Sequence, residues 1–123
     1  MREMRAAVER SREAGQEVVA CAVLTGAPMP DWSVEEILAL HFRMHKAEGV
    51  LFRAALAQAA GECGLKVVAI PEKTLHEQAE RALATPMDAL TRRLATLGKP
   101  VGPPWGKDQR DAALAAMIAL QRT

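Results

Sequence analysis

Three places in the chain set chemistry-bearing residues at short, regular spacing. In "LHFRMHKAEG", His41, His45 and Glu48 stand as HxxxHxxE, so consecutive members lie one helical turn apart. A carboxylate one turn from an imidazole can hold its tautomer, share a cation with it or trap a proton. Two histidines and a glutamate so spaced offer three ligands to a divalent ion, although the glutamate that makes HExxH specific for a zinc protease is missing. Two other uses stay open for the trio, a polar network inside or between subunits and a partly solvated pocket wall. In "IPEKT", Glu72 and Lys73 follow directly on a Val-rich run. In "GPPWGKDQRD", Trp105 and Lys107 precede Asp108 and Asp111, carboxylates of a first helical turn, where such groups cap and offset the dipole.

The elements that must carry these residues follow from hydrophobic pattern and punctuation. "MREMRAAVERSREAG" reads as an amphipathic helix with Met4, Ala7, Val8 and Ser11 on one face and Gly15 as its left-handed cap. "EVVACAVLTG" is a continuous apolar run ended by glycine, which suits a strand buried on both faces. Ser33 and Glu36 form the SxxE capping box, with Trp32 and Ile37 placed as a hydrophobic staple, so a long helix is expected from Val34 to about Gly61, bending at Gly49. At about 100° per residue, His41, His45 and Glu48 share its apolar side, and Arg43, Lys46 and Arg53 take the other. Between Val50 and Ala60 the helix is apolar nearly all round, the pattern of a helix packed on several sides.

"LKVVAIP" is a second strand stopped by Pro71, and Thr74 with Glu77 offers another capping box for a helix to about Leu83. Thr85 as cap and Pro86 at the first helical position start a helix that stops at Gly98. Asp108 caps the last helix, "QRDAALAAMIALQ". A strand, helix, strand order implies parallel pairing with a right-handed crossover. The expected fold is therefore α/β, one domain over residues 1–123, with helices packed on a small, mostly parallel sheet. Two strands make a weak isolated sheet, and an open buried-type edge favours completion by a second copy of the chain, a homodimer.

Composition removes several function classes. The 16 Lys and Arg against 15 Asp and Glu leave a formal charge of +1, so no global field steers the protein to nucleic acid or an anionic membrane. With no Tyr, two Phe and two Trp, aromatic stacking on single-stranded bases has little material. Two cysteines, Cys21 and Cys63, make neither a disulfide framework nor a CxxC site, and an intracellular, cytoplasmic setting is expected. No apolar run of membrane-spanning length occurs, and no membrane partner is expected.

From Glu17 onward the order of features resembles the later part of the RNase H-like fold of Holliday-junction resolvases. The likeness lies in an apolar strand, the helix containing "AEGVLFRAALAQAAGECG", the strand "LKVVAIP" with a Lys-bearing helix start, and "DQRDAALAAMIAL", similar to the family's closing DxxDAxAxA pattern. The resemblance implies that Asp108 and Asp111 bind the catalytic metal ion, magnesium or manganese before zinc, and that Lys73 approaches a phosphate backbone. Nucleic acid enters as a partner on this ground alone. Two features of the family are missing: an opening three-stranded meander with its aspartate, and a glutamate at the end of the strand corresponding to "VVACAVLTG". Two-metal phosphodiester hydrolysis needs several carboxylates around ions about 4 Å apart. Two readings follow. In one the protein is a metal-dependent, nuclease-like enzyme with Glu48, Glu72, Asp108 and Asp111 as its acids and His41, His45, Lys73, Trp105 and Lys107 as binding residues. In the other it is a non-enzymatic homodimeric module with a buried His/Glu network.

Overall fold

Two glycines turn helices into strands by the same device. In the computed structural model, which describes residues 2–26, 33–39 and 41–122 (side chains at 37–39 and 41–48 excepted), helix α1 spans Arg2–Glu13 and strand β1 spans Ala20–Thr25. Gly15 takes φ +82°, the Gln16 N–H donates to Ser11 O at 2.8 Å and the Gly15 N–H to Arg12 O at 2.9 Å. That pair of bonds is a Schellman cap, which only a residue free of Cβ enters cheaply. Gly64, φ +75°, repeats it after helix α3 (His41–Glu62), with Leu65 N–H to Ala60 O and Gly64 N–H to Gly61 O both at 3.0 Å. Strand β2 (Lys66–Pro71) follows at once.

β1 and β2 pair in parallel from Ala20↔Lys66 to Thr25↔Pro71, and together they are the whole sheet among the described residues. Alternation sorts the two faces. Ala20, Ala22 and Leu24 of β1, with the buried Val68 and Ile70 of β2, meet the main core. The opposite face gives Cys21 to a smaller cluster built on Val8, Ala60 and Leu65. α1 and α3 thus cover one face, and the other is covered by α4 (Leu75–Leu83), α5 (Met87–Val101) and α6 (Lys107–Gln121). Each of these three helices buries a stripe one turn apart: Leu75 and Ala79, then Leu90, Leu94 and Gly98, then Leu114, Ala115, Ile118 and Ala119.

Several expectations are corrected. The helix expected from Val34 is described as α2 (Val34–Ala39) and α3 on either side of residue 40, which lies outside the described residues, and α3 continues through Gly49. The Ser33 box is made, with Glu36 N–H to Ser33 Oγ at 3.1 Å and Ser33 N–H to Glu36 Oε1 at 3.4 Å. The Trp32–Ile37 staple lies outside the described residues. α3 is not wrapped: Leu51 is 70% exposed and Phe52 60%. Its 22 residues span roughly 33 Å, against roughly 20 Å for the six-residue strands, so the helix outruns the sheet that would cover it. β1 likewise buries fully only Val23, because its outer edge has no neighbouring strand among the described residues.

Three caps also differ. A 3-10 turn, Glu72–Thr74, leads into α4, and Thr74 makes no side-chain cap, accepting instead from Gln78 Nε2 at 2.8 Å, while Glu77 pairs with Arg81. Thr85 turns its hydroxyl to Leu83 O, Pro86 is the α5 cap rather than its first residue, and Glu80 of α4 accepts the Met87 N–H at 3.2 Å. α5 passes Gly98 and carries Pro100 in its last turn before ending at Gly102. Gly98 instead serves packing. The Trp105 indole lies so close that a Cβ at 98 would overlap the ring, and its Nε1–H donates to Leu94 O at 3.0 Å. At α6 the cap is Gly106, whose N–H is taken by Gln109 Oε1 at 2.9 Å, so Asp108 sits inside the first turn.

Candidate functional site

The parallel register brings the carboxyl ends of both strands to one edge of the sheet, Thr25 beside Pro71. Ligands of open parallel sheets gather at that edge, because helix N-termini and loops converge there. A cavity of about 470 Å³ runs along β1 from Cys21 to Leu24 toward these ends, and Glu72, Asp108, Asp111 and Arg53 stand in its wall. Glu72 arrives because it is the first residue after β2. Asp108 and Asp111 arrive because α6 packs along β1 with its N-terminus toward the strand ends.

Each of two carboxylates has its own cation. Arg53 Nη2 of α3 lies 3.8 Å from Glu72 Oε1. Its guanidinium also rests against Gly26, where an added Cβ would stand 3.2 Å from Nη1, so the glycine after β1 leaves its path open. Lys107 Nζ donates to Asp111 Oδ2 at 2.6 Å, across one turn of α6. This bond and the Asp111 charge hold the Lys107 ammonium above the ordinary lysine range, with Glu72 and Asp108 adding to the effect. One lysine therefore feels all three carboxylates of the cavity.

A second cavity of about 320 Å³ adjoins the first through Asp111, which lines both. Its polar wall sets His76, Lys107 and Arg110 beside Asp111 and Thr91, over Met87, Leu94 and Leu114. A third hollow, of about 450 Å³, holds Glu77, Gln78, Arg81 and Arg122. There Glu77 is paired with Arg81 at 3.1 Å and Gln78 with Arg122 at 2.6 Å, so its polar groups already serve one another.

Of the residues singled out in the sequence, Glu72, Asp108, Asp111 and Lys107 are brought together. Lys73 lies in the exposed 3-10 turn beside Glu72. Trp105 is turned inward onto α5, its N–H spent on Leu94 O. His41, His45 and Glu48 fall in α3, and their side chains lie outside the described ones. Among the described residues, no three His, Cys, Asp or Glu side chains are close enough to form a ready metal cage. The carboxylates of the cavity are oxygen donors, the kind a hard cation such as magnesium or manganese takes, and the Cys21 thiol stands in the same wall. Sequence reasoning missed Arg53, His76 and Arg110. Arg53 had been assigned to the solvent side of its helix, and its approach to Glu72 is a tertiary fact whose one trace in the sequence is the glycine ending β1.

No family model matches the chain, and neither a curated protein nor a solved structure matches it. Fold and site alone define the class, a mixed α/β protein with a charged cavity at the carboxyl ends of two parallel strands. No described helix is long and apolar enough to cross a membrane.

Proposed function

We propose that the protein is an RNase H-like, divalent-metal-dependent protein of nuclease type, with Asp108 and Asp111, two carboxylates about one helical turn apart, as the residues that would meet the ion, substrate phosphate and water supplying its other ligands. The observation that supports it is the presence of Asp108 and Asp111, both named from the sequence, in one cavity with Glu72, the first residue after β2. A bound ion would polarise a phosphoryl oxygen and lower the pKa of its water. The chain's own contribution is to orient. Arg53 holds Glu72 from the α3 side, and the neighbouring wall of His76, Lys107 and Arg110 offers positive charge to a phosphate, which offsets the lack of net charge on the whole chain. Calorimetric titration with manganese and magnesium, beside cleavage assays on branched and linear DNA, tests the reading. Expected are manganese binding, cleavage that needs the ion, and loss of both in Asp111→Asn. Absence of heat and of cleavage at millimolar manganese would end it.

A second reading, a homodimeric interaction module, is favoured by another observation. Val50, Leu51 and Phe52 are consecutive exposed apolar residues on α3, and Val19 and Val67 are partly bare at the sheet. Apolar surface of this kind is what a second copy of the chain would cover. Sedimentation at micromolar concentration tests it: a dimer that Leu51→Glu dissociates is expected, and a wild-type monomer with the fold intact would overturn it.

A further inference from the structure

We propose that an extended segment of a partner protein adds to the outer edge of β1 as a third strand, in a slot walled by α6 on one face of the sheet and α3 on the other. The inference is independent of the cation reading, and no ion takes part in its test. Its basis is a groove. Two cavities, of about 470 and 180 Å³, follow each other along β1 and share Ala22. The larger is lined by Cys21 and Leu24, whose side chains leave opposite faces of the sheet, together with Leu56 of α3 and Ala112 of α6. β2 fills the other flank of β1, so a hollow that reaches both faces lies where a next strand would lie.

The backbone at this edge is turned for pairing. Lys66 N–H donates to Val19 O, so Val19 aims its peptide groups at β2, and by the alternation of a strand Ala20, Ala22 and Leu24 aim theirs outward. From Ala20 to Thr25 there is no charge and no proline, the residues that keep an edge from pairing. α6 supplies a second sign. From Ala112 to Leu120 it is apolar on every side, and Ala112, Ala116 and Leu120, one turn apart, stand exposed in the groove while Leu114, Ala115 and Ile118 face the core. The β1 of a second copy does not suit the slot. Paired strands stand about 4.8 Å apart and packed helices about 8–10 Å, so the covering helices that came with it would meet the walls already there. A bare extended segment fits. Charge completes its description: Glu72 has Arg53 and Asp111 has Lys107, whereas Asp108 has no ion pair among the described residues. The occupant is therefore apolar on both faces, with a lysine or arginine at the end beside Asp108, and main-chain bonds supply its affinity.

The test is fluorescence anisotropy of a short labelled peptide, a lysine followed by alternating valines and alanines, titrated with the full chain beside a twin that carries glutamate for lysine. Laid antiparallel to β1, the lysine peptide should bind saturably and more tightly than the twin, and Asp108→Asn should erase that preference. Ala22→Pro removes one outward N–H and spares the bonds to β2, so it should weaken binding about two- to tenfold, the range of one net hydrogen bond. Leu120→Glu, at an exposed position of α6, should weaken binding as well, and it carries the test if circular dichroism shows that Ala22→Pro disturbs the sheet. With peptide bound, the amides of Ala20, Ala22 and Leu24 should exchange more slowly. No saturable binding to wild type, or binding that both variants leave unchanged, overturns the proposal. A dimer in sedimentation that Ala22→Pro dissociates overturns it too, since the slot would then belong to a second copy.

Discussion

Arg53 on one face of the sheet reaches Glu72 at its edge, Nη2 to Oε1 3.8 Å, so the first acid after β2 is tied to a helix outside its own layer. The side chains are 36% and 50% exposed, and pairs so wet are worth less than about 1 kcal/mol. A double-mutant cycle with Arg53→Met and Glu72→Gln, read by urea unfolding, should give a coupling below that value. A coupling above about 2 kcal/mol would make the pair a structural brace rather than an arrangement kept for the cavity.

The Ser33 box is open to a direct check. Ser33→Ala removes the acceptor of the Glu36 N–H and should cost roughly 1 kcal/mol. An unchanged midpoint of thermal unfolding would show that the bond contributes nothing.

The main core should be unforgiving. Leu114 is 1% exposed, and Leu114→Ala should cost about 2–5 kcal/mol by lost transfer energy and cavity. Leu97, 47% exposed on α5, should lose less than about 1 kcal/mol on the same change. Similar losses at both sites, by denaturant titration, would contradict the packing described.

Burial pushes the Cys21 thiol up, because the thiolate is poorly solvated between β1 and its covering helices. The protonated form is the one the fold favours. Its contribution is therefore complete below the unfolded value of about 8.5 and fades as pH rises through the higher folded value. Alkylation of Cys21 by iodoacetamide near pH 8 should be slower than that of a free thiol, and Cys21→Ala should flatten the fall of stability between pH 8 and 10. Fast labelling of Cys21 in the folded protein would refute this.

What the sequence disclosed was local. Gly15 and the Ser33 box announce themselves through one residue and its neighbours, and the Val-rich runs ended by Gly26 and Pro71 are short enough to be strands and nothing else. Where the reading failed, a competing partner had won, one turn along the same helix for Thr74 and Glu77 and from the next helix for Glu80. Thr74 is drawn to Gln78, Glu77 to Arg81, and Glu80 caps a helix that is not its own. The apolar girth of α3 suggested burial, but how much of it is covered depends on the extent of a sheet that the helix itself does not encode. The site divides the same way. Glu72, Asp108 and Asp111 were legible because strand ends and helix starts are local, whereas Arg53 and the shared wall at Asp111 exist only once α3 and α6 have been laid on the strands.

The contact between Gly98 and the Trp105 indole makes two distant letters of the chain a single choice. With the ring in place, no side chain fits at 98. With a side chain at 98, the ring has no seat and the indole N–H loses Leu94 O as its acceptor. Drift at either position is therefore blocked until the other has changed, and a pairwise substitution library should return survivors mostly along the diagonal: Gly with Trp, or a larger residue at 98 with a small one at 105. The loop between α5 and α6, loose in composition with its prolines and glycines, is thus free to vary in most of its letters and pinned at one.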